Sequence, residues 1–215
     1  LFRSRSSQPS TSQLMPVPDN TDPLNVSFGN PYLEPYFNHS IRSEFRMSNK
    51  KNFSSLNVNM DGGLVQNPVV SAVWYGLNGA QYSIPVNGPA SWNASMRMFY
   101  NTPIAKSNFS VSNMANAGFS KSSSYIGSTS FDTDKYYVSG DFDYELFHND
   151  FPNLDDSQYF SRNDIQSLNV TDRLRFTYRN NAIELQASGR TSYRKSWYTV
   201  SNASTNATWN NQVSF

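Results

Sequence analysis

Long stretches of this chain alternate apolar and polar side chains one by one, and this period of two restricts its fold more than any other feature. In the first such stretch, Phe37 and Ile41 occupy one parity while Arg42 and Glu44 occupy the other. Successive side chains of a β-strand point to opposite sides, so the pattern predicts a strand with one apolar face. The pattern recurs and predicts further strands at 53–65, 91–100, 109–119, 168–178, 183–194 and 207–215, and residues 1–5 are expected to be the end of another strand.

Turn-forming segments separate these strands. The segment Asp19–Ser40, which ends where the first alternation begins, contains Pro23, Pro31 and Pro35. Each proline fixes φ and removes a backbone donor, so neither a helix nor a central strand can pass through. All 11 prolines are expected between the alternating strands. Short turns are predicted at 48–52, 101–106 and 179–181. They alternate along the chain with long connections, which are predicted at 6–36, 66–89 and 121–164.

The long connections contain local structure of their own. Alternating residues on both sides of Gly76–Gly79 predict a hairpin, and Gly62-Gly63 in the preceding strand predicts a bulge or a bend. Residues 136–146 are compatible with a strand, whereas 143–147 are equally compatible with the start of a short helix. A further connection is expected near Ser201–Ser204, before the last strand.

Strand length and loop length together predict an architecture. Strands of about ten residues suffice to cross a bilayer at a tilt, and long loops outside with short turns inside are typical of outer-membrane barrels. We therefore expect an all-β fold: an antiparallel up-and-down meander of about eight strands, forming a partial segment of a large transmembrane β-barrel. A β-sandwich also shows period-two strands, but nothing in it demands the regular alternation of loop lengths.

The apolar parity would then face lipid, and the other parity would give a polar lumen of mixed charge. The charged residues on the polar parity are Arg42, Glu44, Arg46, Asp61, Arg97, Arg173, Arg175, Glu184, Arg190 and Arg194. Asp172 is the exception on the apolar parity, and Asn113 also interrupts that face. Asp172 is expected either above the hydrocarbon or next to a bulge that shifts the phase. Five aromatic residues are expected either in an interfacial belt or facing lipid, namely Trp92, Tyr100, Phe109, Tyr178 and Trp209.

Composition excludes several classes of protein. The 215 residues include 15% aromatic residues, too many for a disordered tail, and a net charge of +1 with no basic stripe gives no reason to expect a nucleic-acid partner. The absence of cysteine excludes disulfides and thiolate metal sites. No run of about 18 apolar residues is present, so no transmembrane helix is predicted.

Catalytic and metal-binding patterns are also missing. The two histidines, His39 and His148, have no second ligand at a suitable spacing, and we expect a polar rim position for the first and an exposed loop position for the second. Asp141, Asp143 and Glu145 lack the glycine and terminal glutamate of a calcium loop. No nucleophile motif or glycine-rich phosphate loop occurs. We therefore expect neither enzymatic activity nor a cofactor or a metal.

Aromatic residues in two long connections are the best candidates for ligand contact. Trp74, Tyr75 and Tyr82 lie in one connection, and Tyr136 and Tyr137 lie in another. Aromatic rings offer a large stacking area at a small entropic cost. The competing interpretation is that these rings pack the loops together or belong to the interfacial belt.

The segment Gly29-Asn30-Pro31-Tyr32-Leu33-Glu34-Pro35, with His39 and Glu44 in the strand that follows, resembles a segment of TonB-dependent outer-membrane receptors. The upstream run 3–10, then Gln13-Leu14 and Asp22-Pro23-Leu24, narrows the resemblance to the barrel region of the outer membrane protein β-barrel family. Two positions depart from the family pattern: Glu34 replaces the usual lysine, and Tyr36 replaces the usual acid after proline.

The resemblance implies a cell outer-membrane receptor that takes up a small nutrient ligand, driven by TonB through a plug domain. It also implies outer-membrane lipid and the rest of the barrel and plug as partners. The chain begins at Leu1 without an initiator methionine, so residues 1–215 are expected to be a fragment of the C-terminal transmembrane barrel domain, with no plug. The alternatives are a secreted or surface β-sandwich that binds glycans, and a barrel with purely structural or adhesive duties.

Overall fold

The computed structural model describes residues 1–76, 79–104, 107–129, 131–138, 141–200 and 207–214. Its strands form one twelve-stranded, mostly antiparallel sheet that is not closed, and one two-stranded sheet. The elements in chain order are β1 (Phe2–Ser7), α1 (Thr11–Leu14), β2 (Asp19–Asp22), β3 (Asn25–Ser27), β4 (Tyr36–Asn49), β5 (Ser54–Gln66), β6 (Val69–Tyr75), β7 (Gln81–Asn87), β8 (Ser91–Pro103), β9 (Phe109–Gly127), β10 (Tyr137–Val138), β11 (Asp141–Phe142), α2 (Tyr144–Asp150), β12 (Phe160–Arg179), β13 (Glu184–Tyr198) and β14 (Ala207–Ser214).

Eight strands form an up-and-down meander in the order β1, β4, β5, β8, β9, β12, β13 and β14. Each of them pairs antiparallel with the next. Short turns join β4 to β5, β8 to β9 and β12 to β13 at one end, and longer connections join the others at the opposite end. The predicted meander with its alternation of loop lengths is confirmed.

The pairing register gathers the alternating apolar residues onto one face of the meander. Ile41 lies opposite Gly62, and the same row continues through Ala94, Phe119 and Leu168. Large side chains of this face are exposed, among them Phe45, Met60, Met96, Phe109, Leu174, Phe176, Leu185, Trp209 and Val213. An apolar surface of this extent requires an apolar environment or a partner.

The sequence pattern allowed a β-bulge at two places in the meander, and neither bulge is present. The register runs unbroken through Gly62 and Gly63, so the predicted bulge there is wrong. The register of β12 on β9 is also continuous, so no bulge shifts Asp172 out of phase. Instead, Asn113 donates a hydrogen bond from Nδ2 to Asp172 Oδ1 at 2.7 Å. Asn113 and Asp172, two polar residues on the apolar face, are therefore hydrogen-bonded to each other.

The strands around the third long connection are longer than predicted. β9 extends to Gly127 and β12 begins at Phe160, so the connection is shorter than 121–164. Of the two alternatives for 136–146, two short strands are followed by helix α2, which begins after Asp143 because that side chain accepts a hydrogen bond from the Leu146 amide at 2.9 Å.

Prolines also enter two strands. Pro85 lies within β7 and Pro103 ends β8, contrary to the expectation that every proline lies between strands. Pro85 comes after the three residues of β7 that pair with β3, so its missing amide hydrogen removes no bond to that neighbour. The expected hairpin forms between β6 and β7, while its tip at 77–78, the connection at 201–204 and Phe215 lie outside the described residues.

The described residues of the three long connections (8–35, 67–76, 79–90, 128–129, 131–138 and 141–159) fold together into a compact layer that we call the cap. β6 extends the sheet beyond the end of β8 by pairing in parallel with β9, where Ala72 lies opposite Tyr125. Beyond β6, the sheet continues through β7, β3 and β2 in that order. The buried apolar core lies in this region and comprises Val26, Phe28, Ala72, Trp74, Ile84, Val86, Tyr125, Phe131, Tyr136, Phe142, Phe147, Leu154 and Phe160.

The cap covers the apolar side of the sheet. Tyr125 and Phe160, which the cap buries, share the parity of Phe109 and Tyr178 at the other ends of β9 and β12. Side chains of equal parity on an unbroken strand point to the same side. Within the described part of the chain, no helix is long and apolar enough to cross a membrane.

Candidate functional site

The Gly-Asn-Pro segment, residues 29–35, fixes the first connection against the second. Gly29 passes so close to Met15 that an added Cβ would overlap the Met15 carbonyl oxygen. The Asn30 amide donates to Gln13 O at 2.6 Å, and Asn30 Nδ2 donates to Pro85 O at 2.9 Å. The segment therefore joins α1 and its C-terminal neighbour Met15 to strand β7, which explains locally why glycine and asparagine stand at these positions.

Three side chains complete this junction at the end of the segment. Asn87 Oδ1 accepts the Glu34 amide hydrogen at 2.8 Å, and Asn87 Nδ2 donates to the carbonyl oxygens of Glu34 and Asn67, both at 3.1 Å. Asn67, which has a positive φ of 55°, donates from Nδ2 to Glu34 Oε2 at 3.2 Å. Asparagine adopts this left-handed conformation more readily than most residues. Glu34, where the family pattern has lysine, is thus an acceptor in the junction.

Two of the predicted contact residues, Trp74 and Tyr82, lie on the sheet side of the cap core. Trp74 is fully buried, and its Nε1 donates to Thr133 Oγ1 at 2.9 Å. Its ring stacks on Tyr82 at a centroid distance of 5.8 Å and on Phe28 at 6.0 Å. Trp74 therefore joins the second connection to the third, and Tyr82 is partly buried beside it.

Tyr136 and Tyr137 lie on the opposite side of the same core. Tyr136 is buried, and its hydroxyl donates to Asp150 Oδ2 at 2.9 Å, an oxygen that also accepts from Lys135 Nζ at 2.6 Å. Burial raises the pKa of Tyr136 to about 12, and the hydrogen bond to Asp150 acts in the same direction. The bonds from Lys135 and Tyr136 lower the pKa of Asp150. Tyr137 is partly buried, and desolvation raises its pKa as well.

Tyr75, the fifth predicted contact residue, stands apart from this core. Its side chain is exposed, and its hydroxyl donates to Gln81 Oε1 at 3.2 Å on the neighbouring strand of the hairpin. The structure thus brings Trp74, Tyr82, Tyr136 and Tyr137 together as packing residues and leaves Tyr75 at the surface. Ligand contact by any of the five stays a prediction.

A polar cleft of about 380 Å³ opens where the three connections meet. Tyr32 and His148 form part of its wall and stack at a centroid distance of 4.3 Å with nearly parallel rings. Asp155 also lines the cleft, and its carboxylate accepts from Tyr125 OH at 3.1 Å and from Arg162 at 3.3 Å. The remaining polar lining comes from Asn153 and from the junction residues, namely Asn30, Glu34, Asn67 and Asn87.

This cleft offers stacking on a ring pair together with carboxylate and amide groups for hydrogen bonds. The sequence did not indicate it, because Tyr32 and His148 lie far apart in the chain and neither belongs to a ligand motif. The only available signal was that Tyr32 lies inside the Gly-Asn-Pro segment. His148 is half-buried against Tyr32, whereas an exposed loop position was expected.

A metal centre finds no support in the part of the chain that the structure describes. No group of three or more His, Cys, Asp or Glu side chains there is arranged to hold an ion. His39 approaches Gln66 Oε1 at 3.4 Å, which fits a polar rim position.

The fold defines a class of protein: an antiparallel meander with one exposed apolar face, short turns at one end and a folded cap at the other is an outer-membrane β-barrel wall. The model of the outer membrane protein beta-barrel family matches residues 2–151, and the chain belongs to that family. The protein is therefore located in the cell outer membrane, and its family is in general non-enzymatic. Comparison with curated proteins yields no match, and comparison with solved structures likewise yields none.

Family membership orients the sheet. The apolar face points outward to lipid, and the polar face points into the barrel lumen. The cap covers the outward face of the ends of β9 and β12. Long loops of outer-membrane barrels lie on the extracellular side, which predicts that position for the cap. The alternative of a glycan-binding β-sandwich is wrong, because the chain has one large open sheet and belongs to a barrel family.

Proposed function

We propose that this chain is a sector of the barrel of a TonB-dependent outer-membrane receptor that takes up a small nutrient. The sheet is open, and unpaired strand edges cannot be left in the hydrocarbon layer, so further strands must close the wall. The resemblance of residues 29–35 to the corresponding segment of such receptors supports the assignment. Its partners are then the rest of the barrel, outer-membrane lipid, a plug domain in the lumen, and TonB acting through that plug.

The observation that carries this proposal is the extracellular cleft. Three separate connections converge on it, and the Gly-Asn-Pro segment both joins those connections and contributes Asn30, Tyr32 and Glu34 to the lining. A barrel with only a structural duty has no need of a fixed polar cleft with a stacked ring pair. The cleft is therefore our candidate for first contact with the nutrient, with the core of Trp74 and Tyr136 behind it as support.

The test compares growth of three strains on limiting sources of iron, cofactors, glycans and peptides. One strain lacks the receptor, one lacks TonB, and one carries the receptor with Tyr32→Ala and His148→Ala. We expect the receptor deletion and the TonB deletion to share a defect on one source, with the double variant impaired on that same source. The matched control is Asn149→Ala, an exposed neighbour of His148 outside the cleft.

A structural or adhesive role predicts a different outcome. Loss of the receptor would then weaken the envelope or surface attachment, and no nutrient source would reveal a defect that depends on TonB. That result would overturn the proposed function whatever the state of the cleft.

A further inference from the structure

The lumen face of the sheet is rich in arginine. Ten arginines of the strands take the inward parity, and no lysine does: Arg3, Arg5, Arg42, Arg46, Arg97, Arg173, Arg175, Arg179, Arg190 and Arg194. Within the eight strands of the meander, only three acidic residues share that parity, namely Glu44, Asp61 and Glu184. The lumen face of the meander is therefore of mixed charge, as the sequence pattern predicted, with a strong excess of positive charge.

The three inward acids are already engaged. Arg42 pairs with Asp61 at 2.5 Å, Arg46 with Glu44 at 2.5 Å, and Arg179 with Glu184 at 2.6 Å. For the other seven inward arginines, no ion pair exists within the described residues. Arg97 donates only to Asn116 Oδ1 at 3.1 Å. The surplus positive charge thus has no acidic partner among the described residues of this wall.

The surplus is concentrated on β12 and β13. Arg173 lies directly opposite Arg190 in the antiparallel pair, and Arg175 and Arg194 follow on the same face. Like charges directly opposite each other destabilise a strand pair, because their Cβ atoms are only about 5 Å apart. Such an arrangement is stable in a folded wall when an anion lies between the two guanidinium groups.

Donors for an anion continue onto β14. A small polar cavity of about 120 Å³ is lined by Arg190, Ser192, Asn210 and Gln212, all of which share the inward parity. Guanidinium, hydroxyl and amide groups each donate hydrogen bonds, and the planar guanidinium matches carboxylate and phosphate oxygens two at a time. The cavity and the Arg173–Arg190 pair therefore form one continuous donor surface.

We propose that this surface of β12, β13 and β14 is an oxyanion-binding site, which takes a phosphate or carboxylate group of the nutrient as it passes through the lumen. The passage of a nutrient past this site rests on the proposed function. The binding of an oxyanion at the site does not depend on that function. Each charge-assisted hydrogen bond that is lost weakens binding about tenfold or more.

The experiment titrates the detergent-solubilised full-length protein with inorganic phosphate and, separately, with citrate, using calorimetry at low ionic strength in chloride buffer. We expect saturable binding, with the half-saturating concentration raised about tenfold or more by Arg173→Gln or Arg190→Gln. Arg46→Gln is the matched control, since that arginine also faces the lumen but is paired with Glu44. It should leave the titration within about twofold of the wild type.

A second readout separates binding from a merely structural role. In chloride alone, Arg190→Gln relieves the repulsion from Arg173 and should keep or raise the unfolding midpoint. Phosphate should raise the midpoint of the wild type and of Arg46→Gln more than that of Arg190→Gln. Equal affinities for phosphate and citrate indicate a general oxyanion site. A higher affinity for phosphate than for citrate indicates a phosphate-bearing nutrient.

Absence of saturable binding, or equal binding by wild type and both arginine variants, would overturn the site. Neither titration needs TonB, so the outcomes of both titrations are independent of the uptake test. If anions bind at Arg173 and Arg190 while uptake shows no dependence on TonB, the proposed function fails and the oxyanion site stands.

Discussion

Gly29 is the residue at which the cap tolerates least change. The backbone of Met15 occupies the space into which a side chain would project, so Gly29→Ala must push the first connection away from the segment that follows α1. Overpacking of this kind costs about 1–3 kcal/mol. We expect Gly29→Ala to increase hydrogen exchange of the amides in residues 8–35 and to leave the exchange of β4 and β5 unchanged.

Gly189→Ala is the control for this substitution. Nothing lies within 4 Å of the position that its Cβ would take, so the same chemical change should be silent there. If both variants exchange like the wild type, Gly29 does not fix the connection, and the close approach to Met15 has no energetic importance.

The cap tyrosines predict an alkaline transition. Burial raises the pKa of Tyr136 and that of Tyr144 to about 12, and within the described residues the buried Tyr144 hydroxyl has no hydrogen-bond partner. The unfolded value is about 10. Because the folded pKa is the higher one, this contribution to stability is complete below pH ~10 and is lost as the pH rises towards 12.

The measurement is the fluorescence of Trp74 between neutral pH and pH ~12, in a variant whose other three tryptophans are phenylalanine. Trp74 is fully buried in the cap, so its emission should shift to longer wavelength as the tyrosines ionise and the cap opens. Tyr136→Phe should shift this opening to higher pH. Emission that stays constant through the whole range would contradict the burial of these hydroxyls.

At the same scale, sequence reasoning found the aromatic residues of the cap but not their roles. Trp74 and Tyr136 are recognisable as unusual loop residues, yet their burial depends on Phe28, Phe131 and other partners from different connections. A single sequence holds no signal for such long-range pairs. The stacked pair of Tyr32 and His148 was missed for the same reason.

The strands of the wall were predicted well because their apolar alternation is set locally. β4, β5, β8, β9, β12 and β13 all lie where the period of two predicted them. The prediction failed where the pattern fades: residues 122–124 are all serine, and β9 continues through them because β12 pairs with it throughout and β6 joins it further on. Neighbouring strands, rather than the local pattern, decide the length of these two elements.

The parity of the strands carries a direct prediction for β8. Met96 points outward and its neighbour Ser95 points inward, and both lie in the middle of that strand. An arginine on the lipid face near the midplane costs about 2–4 kcal/mol, whereas the polar lumen accepts it. We expect Met96→Arg to reduce the yield of folded, membrane-inserted protein and to lower the urea midpoint for unfolding from lipid vesicles, and Ser95→Arg to leave both close to wild type. The reverse order would place the lumen on the apolar side.

Over the whole molecule, charge is divided between the two parts of the fold. The three connections of the cap contain eleven acidic residues and a single basic one, Lys135, whereas the inward face of the strands has an excess of arginine. A net charge of +1 conceals this division, which is why composition alone gave no reason to expect an anionic ligand. The division appeared only when the register showed which residues share a face.

Whether the wall closes into a barrel in the outer membrane is tested most directly by fractionation of the full-length protein and gel migration with and without heating. A closed barrel resists the detergent of the gel until it is boiled. We expect the protein in the detergent-extracted outer-membrane fraction, and faster migration of the unboiled sample. A protein that stays soluble without detergent, or migrates identically before and after boiling, would contradict the barrel and with it the assignment of lipid and lumen faces.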